Sequence, residues 1–211
     1  MLMFTKQTLA WYKIGSAALA FTAVVVQYLH GAVSNPAFSA TNFFSFFTIE
    51  SNILAATVFA VTGVWYLHGK NTGKMVLLRG AATLYMVITG IVYSLLLSGL
   101  EESLQTPIPW VNFVLHYLFP LLAFADWFID RPAHKVTFKE SLWWLVFPVV
   151  YLVYSLVRGP IVGWYPYPFL NPANGGYGMV FVTAIGITIC GLMLCALFAK
   201  LSASQKTLRK K

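Results

Sequence analysis

Two residues in this chain have side chains suited to nucleophilic chemistry in apolar surroundings: Thr48, in FFSFFTIESNIL, and His116, in WVNFVLHYLFPLLAFADW. A threonine hydroxyl is a poor nucleophile until a base takes its proton. A neutral imidazole within hydrogen-bond reach can be that base. Such a pair attacks an ester carbonyl and passes through an acyl-enzyme. The oxyanion that develops needs donors, and Asn52, Asn112 and the tyrosine hydroxyls are candidates, with Tyr93 and Tyr154 as supporting residues. Arg158 is suited to holding a carboxylate, and Glu50 is either a hydrogen-bonded partner of Asn52 or a proton carrier. Each residue also has a plainer reading. A lone threonine in a membrane helix usually bonds the carbonyl four residues back, and an arginine at a helix end can reach for lipid headgroups.

These residues sit in a chain of 211 residues that is 59% hydrophobic and 9% charged. A soluble domain carries about a quarter charged residues, so this chain cannot coat a water-facing surface. A lipid-facing surface needs no such coat. A span needs about 20 mostly apolar residues. The expected spans are 13–30, 43–67, 76–100, 110–129, 142–157 and 178–199, with a kink at Pro148 in the fifth. The runs are continuous rather than alternating, which favours helices over a barrel. The expected fold is therefore all-α: a single polytopic domain over 1–211 with six transmembrane helices. The first run is expected to be retained rather than cleaved as a signal peptide near Ala37-Phe38-Ser39, because five more spans follow.

The net charge of +8 raises nucleic acid as a partner, but the basic residues are spread over short connections and ends. With six spans, every Lys and Arg except Arg158 falls on one side, the side of both termini. Positive charge marks the cytoplasmic side, so both termini are expected in the cytoplasm of a multi-pass protein of the cell (inner) membrane. Thr48 and His116 then lie about 8 and 9 Å deep from the outer side, at about 1.5 Å of rise per residue. Ser45, Thr48 and Asn52 share one face, with Glu50 nearly opposite, and Asn112 is one turn above His116. Thr89 and Tyr93 of the third span lie at comparable or shallower depth, and Tyr151, Tyr154, Ser155 and Arg158 form a stripe on the fifth. The connection RGPIVGWYPYPFLNPANGGY is either an interfacial aromatic belt with turns or a half-buried cap over a cavity. Asp126, near Arg131 and Lys135, is expected to form a structural ion pair with them.

The segments around Thr48 and His116, together with the six-span plan, resemble the androgen-induced and androgen-dependent family of membrane hydrolases. The loop RGPIVGWYPYPFLNP is shared with bacterial members of that superfamily. The resemblance covers nearly the whole chain. It implies hydrolysis of fatty acid esters of hydroxy fatty acids or related acyl esters, with the Thr nucleophile at Thr48 and the His at His116. Glu50 and Asn52 are not part of the animal pattern.

Two other function classes compete. In a proton-coupled transporter, Glu50, His116 and Asp126 would form a relay, although no internal repeat or paired broken helix supports it. A haem or metal protein needs close-spaced ligands, and His30 and His116 are the only histidines on the outer side. The expectation is a lipid or fatty-acyl ester as substrate, no metal or other cofactor and no nucleic acid. Cys190 and Cys195, both in the last span, point in different directions and are read as packing residues.

Overall fold

The computed structural model describes residues 4–101, 104 and 106–202; Glu102 and the basic residues Lys206, Arg209, Lys210 and Lys211 lie outside them. The described chain is helical: α1 (Lys6–Ser34), α2 (Ala40–Phe43), α3 (Phe47–Leu67), α4 (Val76–Val92), α5 (Pro109–Phe113), α6 (Phe119–Ile129), α7 (Phe138–Ser141), α8 (Val146–Val162) and α9 (Gly176–Ser202). Short 3₁₀ and π turns join several of these into longer rods. Six continuous helices are long and apolar enough to cross a membrane: Lys6–Ser34, Phe47–Leu67, Thr72–Leu97, Pro109–Ile129, Phe138–Val162 and Gly176–Ser202.

Small side chains set the closest packing. Ala10, Ala17, Ala20 and Ala23 of α1 and Ala55 and Ala56 of α3 are fully buried. A Cβ added to Gly63 of α3 would stand 2.9 Å from the Ala10 carbonyl oxygen, so only glycine permits this approach. In lipid, where apolar side chains gain little by leaving the solvent, such close backbone approach is a main source of helix association. The third and fourth rods pack onto this pair. Helices α8 and α9 stand further out, with most of their apolar side chains exposed.

Two expectations are corrected here. The second rod does not start at Phe43. The chain makes the short α2, breaks over residues 44–46, and restarts at Phe47 with Phe46 extended at φ −78°, ψ 126°. The aromatic run is pulled apart by its own packing. Phe43 lies edge-on to Tyr28, Phe46 edge-on to Trp164, and Phe47 edge-on to Tyr151. Ser45 is therefore outside the helix, and Thr48 is the second residue of α3 rather than a mid-helix position. Pro148 lies in the first turn of α8, where its missing N–H takes nothing from the helix; the irregularity is the 3₁₀ turn Leu142–Leu145 before it.

Asp126 pairs differently from expectation as well. Arg131 and Lys135 follow it in sequence, yet its partners come from other helices. Lys13 of α1 binds one carboxylate oxygen and Arg79 of α4 the other at 2.9 Å. Asp130 is 3.0 Å from both cations, and Tyr66 donates to it at 2.7 Å. Two cations and two anions, all buried, tie α1, α3, α4 and α6 together. Buried charges are held only when paired in this way.

Candidate active site

At the opposite end of the bundle, Thr48 stands at the start of α3. The first amides of a helix have no partner inside it, and no side-chain cap comes from Phe46. Two tyrosine hydroxyls take that role. Tyr151 accepts from the Phe47 N–H at 3.3 Å while donating to the Ser45 carbonyl at 3.0 Å. Tyr167, from the loop after α8, accepts from the Thr48 N–H at 3.1 Å and lies 3.4 Å from Thr48 Oγ1. The next amide, that of Ile49, makes no hydrogen bond to another described residue.

Thr48 does not do what its neighbours do. Thr57, Thr62, Thr89 and Thr188 each donate to the carbonyl four residues back, at 2.7 to 2.9 Å. Thr48 has no such bond, because the helix has not begun four residues earlier. Its hydroxyl has only the long contact to Tyr167.

His116 lies in the π turn Val114–Leu118 between α5 and α6. Pro120 has no N–H to give the His116 carbonyl, and the turn widens so that Phe119 N–H bonds Val114 O. Such π turns recur at functional sites. Nδ1 of His116 is 3.1 Å from the Asn112 carbonyl oxygen. A carbonyl only accepts, so Nδ1 carries the proton and Nε2 keeps a lone pair. The ring is stacked on Tyr93, with centroids 3.8 Å apart and planes at 19°. Tyr93 is in turn fixed from both sides: Asn112 Nδ2 donates to its hydroxyl at 2.6 Å, and the hydroxyl donates to Glu101 at 2.8 Å. Glu101, on the exposed connection, is held below the usual carboxylate range by backbone amides, its own first and then that of Gly99, with the Tyr93 hydroxyl adding to them.

No hydrogen bond joins Thr48 to His116. Both instead face one small cavity of about 10 Å³, together with Gln27, Ile49, Thr106 and Tyr167. That is close to the room one water centre needs, about 10–15 Å³. On its other side Thr48 borders a larger cavity of about 120 Å³ between α3, α4, α8 and α9, walled mainly by apolar side chains and the hydroxyls of Tyr151, Tyr167, Thr89 and Thr188. Thr48 is thus the residue, with Tyr167, that forms part of both walls.

The loop after α8 is a cap and not only a surface belt. Tyr167 and Leu170 are buried, and Phe169 stacks on Tyr167 at 5.2 Å. The loop folds back because Gly159 has no side chain: a Cβ there would stand 2.0 Å from the Tyr165 ring. Burial pushes the Tyr167 phenol up to about 12, with its contacts to Thr48 pulling against that rise.

The other expected site residues divide. Asn52 donates both to the Thr48 carbonyl at 2.8 Å and to the Leu115 carbonyl at 3.2 Å. Its NH₂ group is therefore consumed in holding the two segments together, and it is a brace rather than an oxyanion donor. Asn112 braces Tyr93 and leaves its own Oδ1 without a partner. Tyr154 bonds Ser45 Oγ at 2.8 Å but lines neither cavity. Arg158 donates to Asn42 Oδ1 at 2.6 Å and lies 5.4 Å from the Trp164 ring centre, on the rim rather than inside. Glu50 is half-buried, lines neither cavity, and makes no hydrogen bond or ion pair with a described residue.

Three groups escaped the sequence reading. Gln27 carried a usable signal, as an amide inside an apolar span. Tyr167 did not stand out among the loop's many aromatics. The free Ile49 amide follows from a helix start that hydropathy does not mark. No family model, curated protein or solved structure matches the chain.

Proposed function

We propose that this protein is an intramembrane lipid-ester hydrolase in which Thr48 is the nucleophile and His116 the general base. One observation carries the reading. Thr48 does not back-bond to its own helix, and it borders both a water-sized cavity shared with His116 and a larger apolar one. The resemblance of the two segments to androgen-induced and androgen-dependent membrane hydrolases points the same way.

The chemistry runs as follows. An acyl chain fills the apolar cavity and brings its ester carbonyl to Thr48. The Thr48 hydroxyl attacks the carbonyl carbon, and its proton passes to Nε2 of His116, directly after a side-chain shift or through one water. The Ile49 N–H and the Tyr167 O–H receive the oxyanion. His116 returns the proton to the departing alcohol as the ester C–O bond breaks. Water then attacks the acyl-threonine, again giving a proton through His116, and Thr48 regains its hydroxyl as the carboxylic acid leaves. Arg158, on the rim, binds a carboxylate at the far end of an amphipathic substrate such as a fatty acid ester of a hydroxy fatty acid. The segregation of Lys and Arg supports both termini on the cytoplasmic face of the cell membrane and, with that orientation, this site in the outer half of the bilayer.

The test is hydrolysis of acyl esters by the purified protein in detergent or nanodiscs. Thr48→Ala and His116→Ala should each abolish turnover, and unchanged rates in both would end the proposal. A proton-coupled transporter is the second reading, favoured by a Glu50 carboxylate without a partner among the described residues. Asp126, the third member of that relay, is already held by Lys13 and Arg79. Solute uptake into proteoliposomes that is lost in Glu50→Gln, without ester hydrolysis, would select it.

A further inference from the structure

The buried stripe of α1 carries a polar residue toward each end. Lys13 and Gln27 are separated by 14 residues on one face, with Ala17, Ala20, Ala23 and Val24 between them, and both are almost fully buried, at 0% and 2% exposure. Their circumstances are opposite. Lys13 has two carboxylates. Gln27 has nothing: Oε1 is buried without a partner, and no described residue bonds its amide nitrogen. A primary amide has two donor hydrogens and a carbonyl acceptor. Leaving the buried acceptor unmade is costly. The side chain also has a destination, because it forms part of the wall of the small cavity with Thr48 and His116.

We propose that Gln27 positions the hydrolytic water of the second half-reaction. The inference rests on the hydrolase reading above. Its logic is one of count: the cavity holds about one water, and a water there meets the His116 ring on one side and the Gln27 amide on another. A water ready to attack needs one acceptor for the proton that leaves and a second acceptor to hold its other proton, so that an oxygen lone pair stays free for the acyl carbon. His116 Nε2 is the first, and the Gln27 amide oxygen is the second. In the step itself, the water oxygen forms a bond to the acyl carbon of acyl-Thr48 while one water proton goes to Nε2. The bond from acyl carbon to Thr48 Oγ1 then breaks, and His116 gives that proton to Oγ1. Attack by Thr48 on the substrate does not use this water as a nucleophile, so Gln27 matters most for release of the acyl group. Gln27 is a positioning residue acting through water, and it also places the water on the α1 side of Thr48, opposite the acyl chain.

The experiment separates the two half-reactions. An activated acyl ester with a chromogenic leaving group is mixed with the purified full-length protein, and leaving-group release is followed together with intact mass. In Gln27→Met, which keeps length and loses hydrogen bonding, the release burst should persist while steady-state turnover falls about 100-fold, the scale of positioned proton-transfer catalysis. Acylated protein should accumulate, with the added mass on Thr48. Gln27→Glu, which keeps an oxygen acceptor, should restore part of the turnover. Steady-state turnover in Gln27→Met at the wild-type rate would overturn the proposal. So would a loss of burst and turnover in equal measure, in both variants, without accumulation of acylated protein. Failure of the hydrolase reading looks different: wild-type protein would show no burst, and Thr48→Ala would match it.

Discussion

Substituting Tyr167 with phenylalanine removes one oxygen and leaves the ring stacked on Phe169 and edge-on to Phe46. That oxygen accepts the Thr48 N–H at 3.1 Å and lies 3.4 Å from Thr48 Oγ1. As a structural bond it is worth about 0.5–1.5 kcal/mol net, and up to ~3 kcal/mol if the buried amide finds no other partner. As an oxyanion donor it is worth about 10²–10³ in kcat, or ~2.7–4 kcal/mol. Tyr167→Phe should therefore lower the unfolding midpoint modestly and lower kcat by at least a hundredfold. Both are measured on one detergent preparation, by thermal unfolding and by acyl ester hydrolysis. A folded variant with kcat within about threefold of wild type would refute the role. The pH profile gives a second reading. Burial lifts this phenol from its ordinary value near 10 to about 12, so it still donates at pH 10.5 and kcat should show no fall at the ordinary tyrosine pKa. Stability behaves otherwise. The unfolded chain releases this proton from about pH 10 while the folded chain holds it to about 12, so the contribution is complete below about 10 and declines across that window as pH rises.

Asn52→Leu removes a side chain that bonds both the Thr48 carbonyl and the residue before His116. It should reduce kcat more than tenfold with KM little changed, the mark of misplaced catalytic groups rather than weaker binding; a pure KM effect would show that the brace is not needed. Asp126→Ala leaves Lys13 and Arg79 sharing Asp130 alone, and breaking a buried ion network of this kind costs about 3–5 kcal/mol. Thermal unfolding in detergent measures it, and a second substitution, Lys13→Met, should recover part of the loss; a cost under about 1 kcal/mol would show that water reaches the cluster.

The six rods were legible because hydropathy acts locally; the fourth and sixth lie close to the expected 110–129 and 178–199, whereas the first begins at Lys6 rather than 13 and the second at Phe47 rather than 43. The second was misread for a clear reason. Phe43 to Phe47 is apolar throughout apart from Ser45, and nothing within it signals a break. The break is imposed by hydroxyls 104 and 119 residues away in sequence. Asp126 shows the same limit: charges near in sequence suggested partners, while Lys13 and Arg79 came 113 and 47 residues back along the chain. That Thr48 and His116 lie toward the same end of the bundle was legible from the order of the spans. That they share a cavity without touching was not, because it depends on side-chain packing across helices.

The start of α3 has a wider consequence. In a soluble protein, water solvates the first amides of a helix; here a tyrosine from the loop and one from α8 act as that solvent. Withdrawing the loop would strip the Thr48 amide of its substitute, and the least costly response is for the helix to wind backward through residues 44–46 until the Phe44 carbonyl accepts the Thr48 N–H. Thr48 would then bond that carbonyl as Thr57, Thr62 and Thr89 bond theirs, and become an ordinary helical threonine. On the hydrolase proposal, the reactivity of the hydroxyl is thus a property of where a helix is allowed to begin, and the docked loop sets that point.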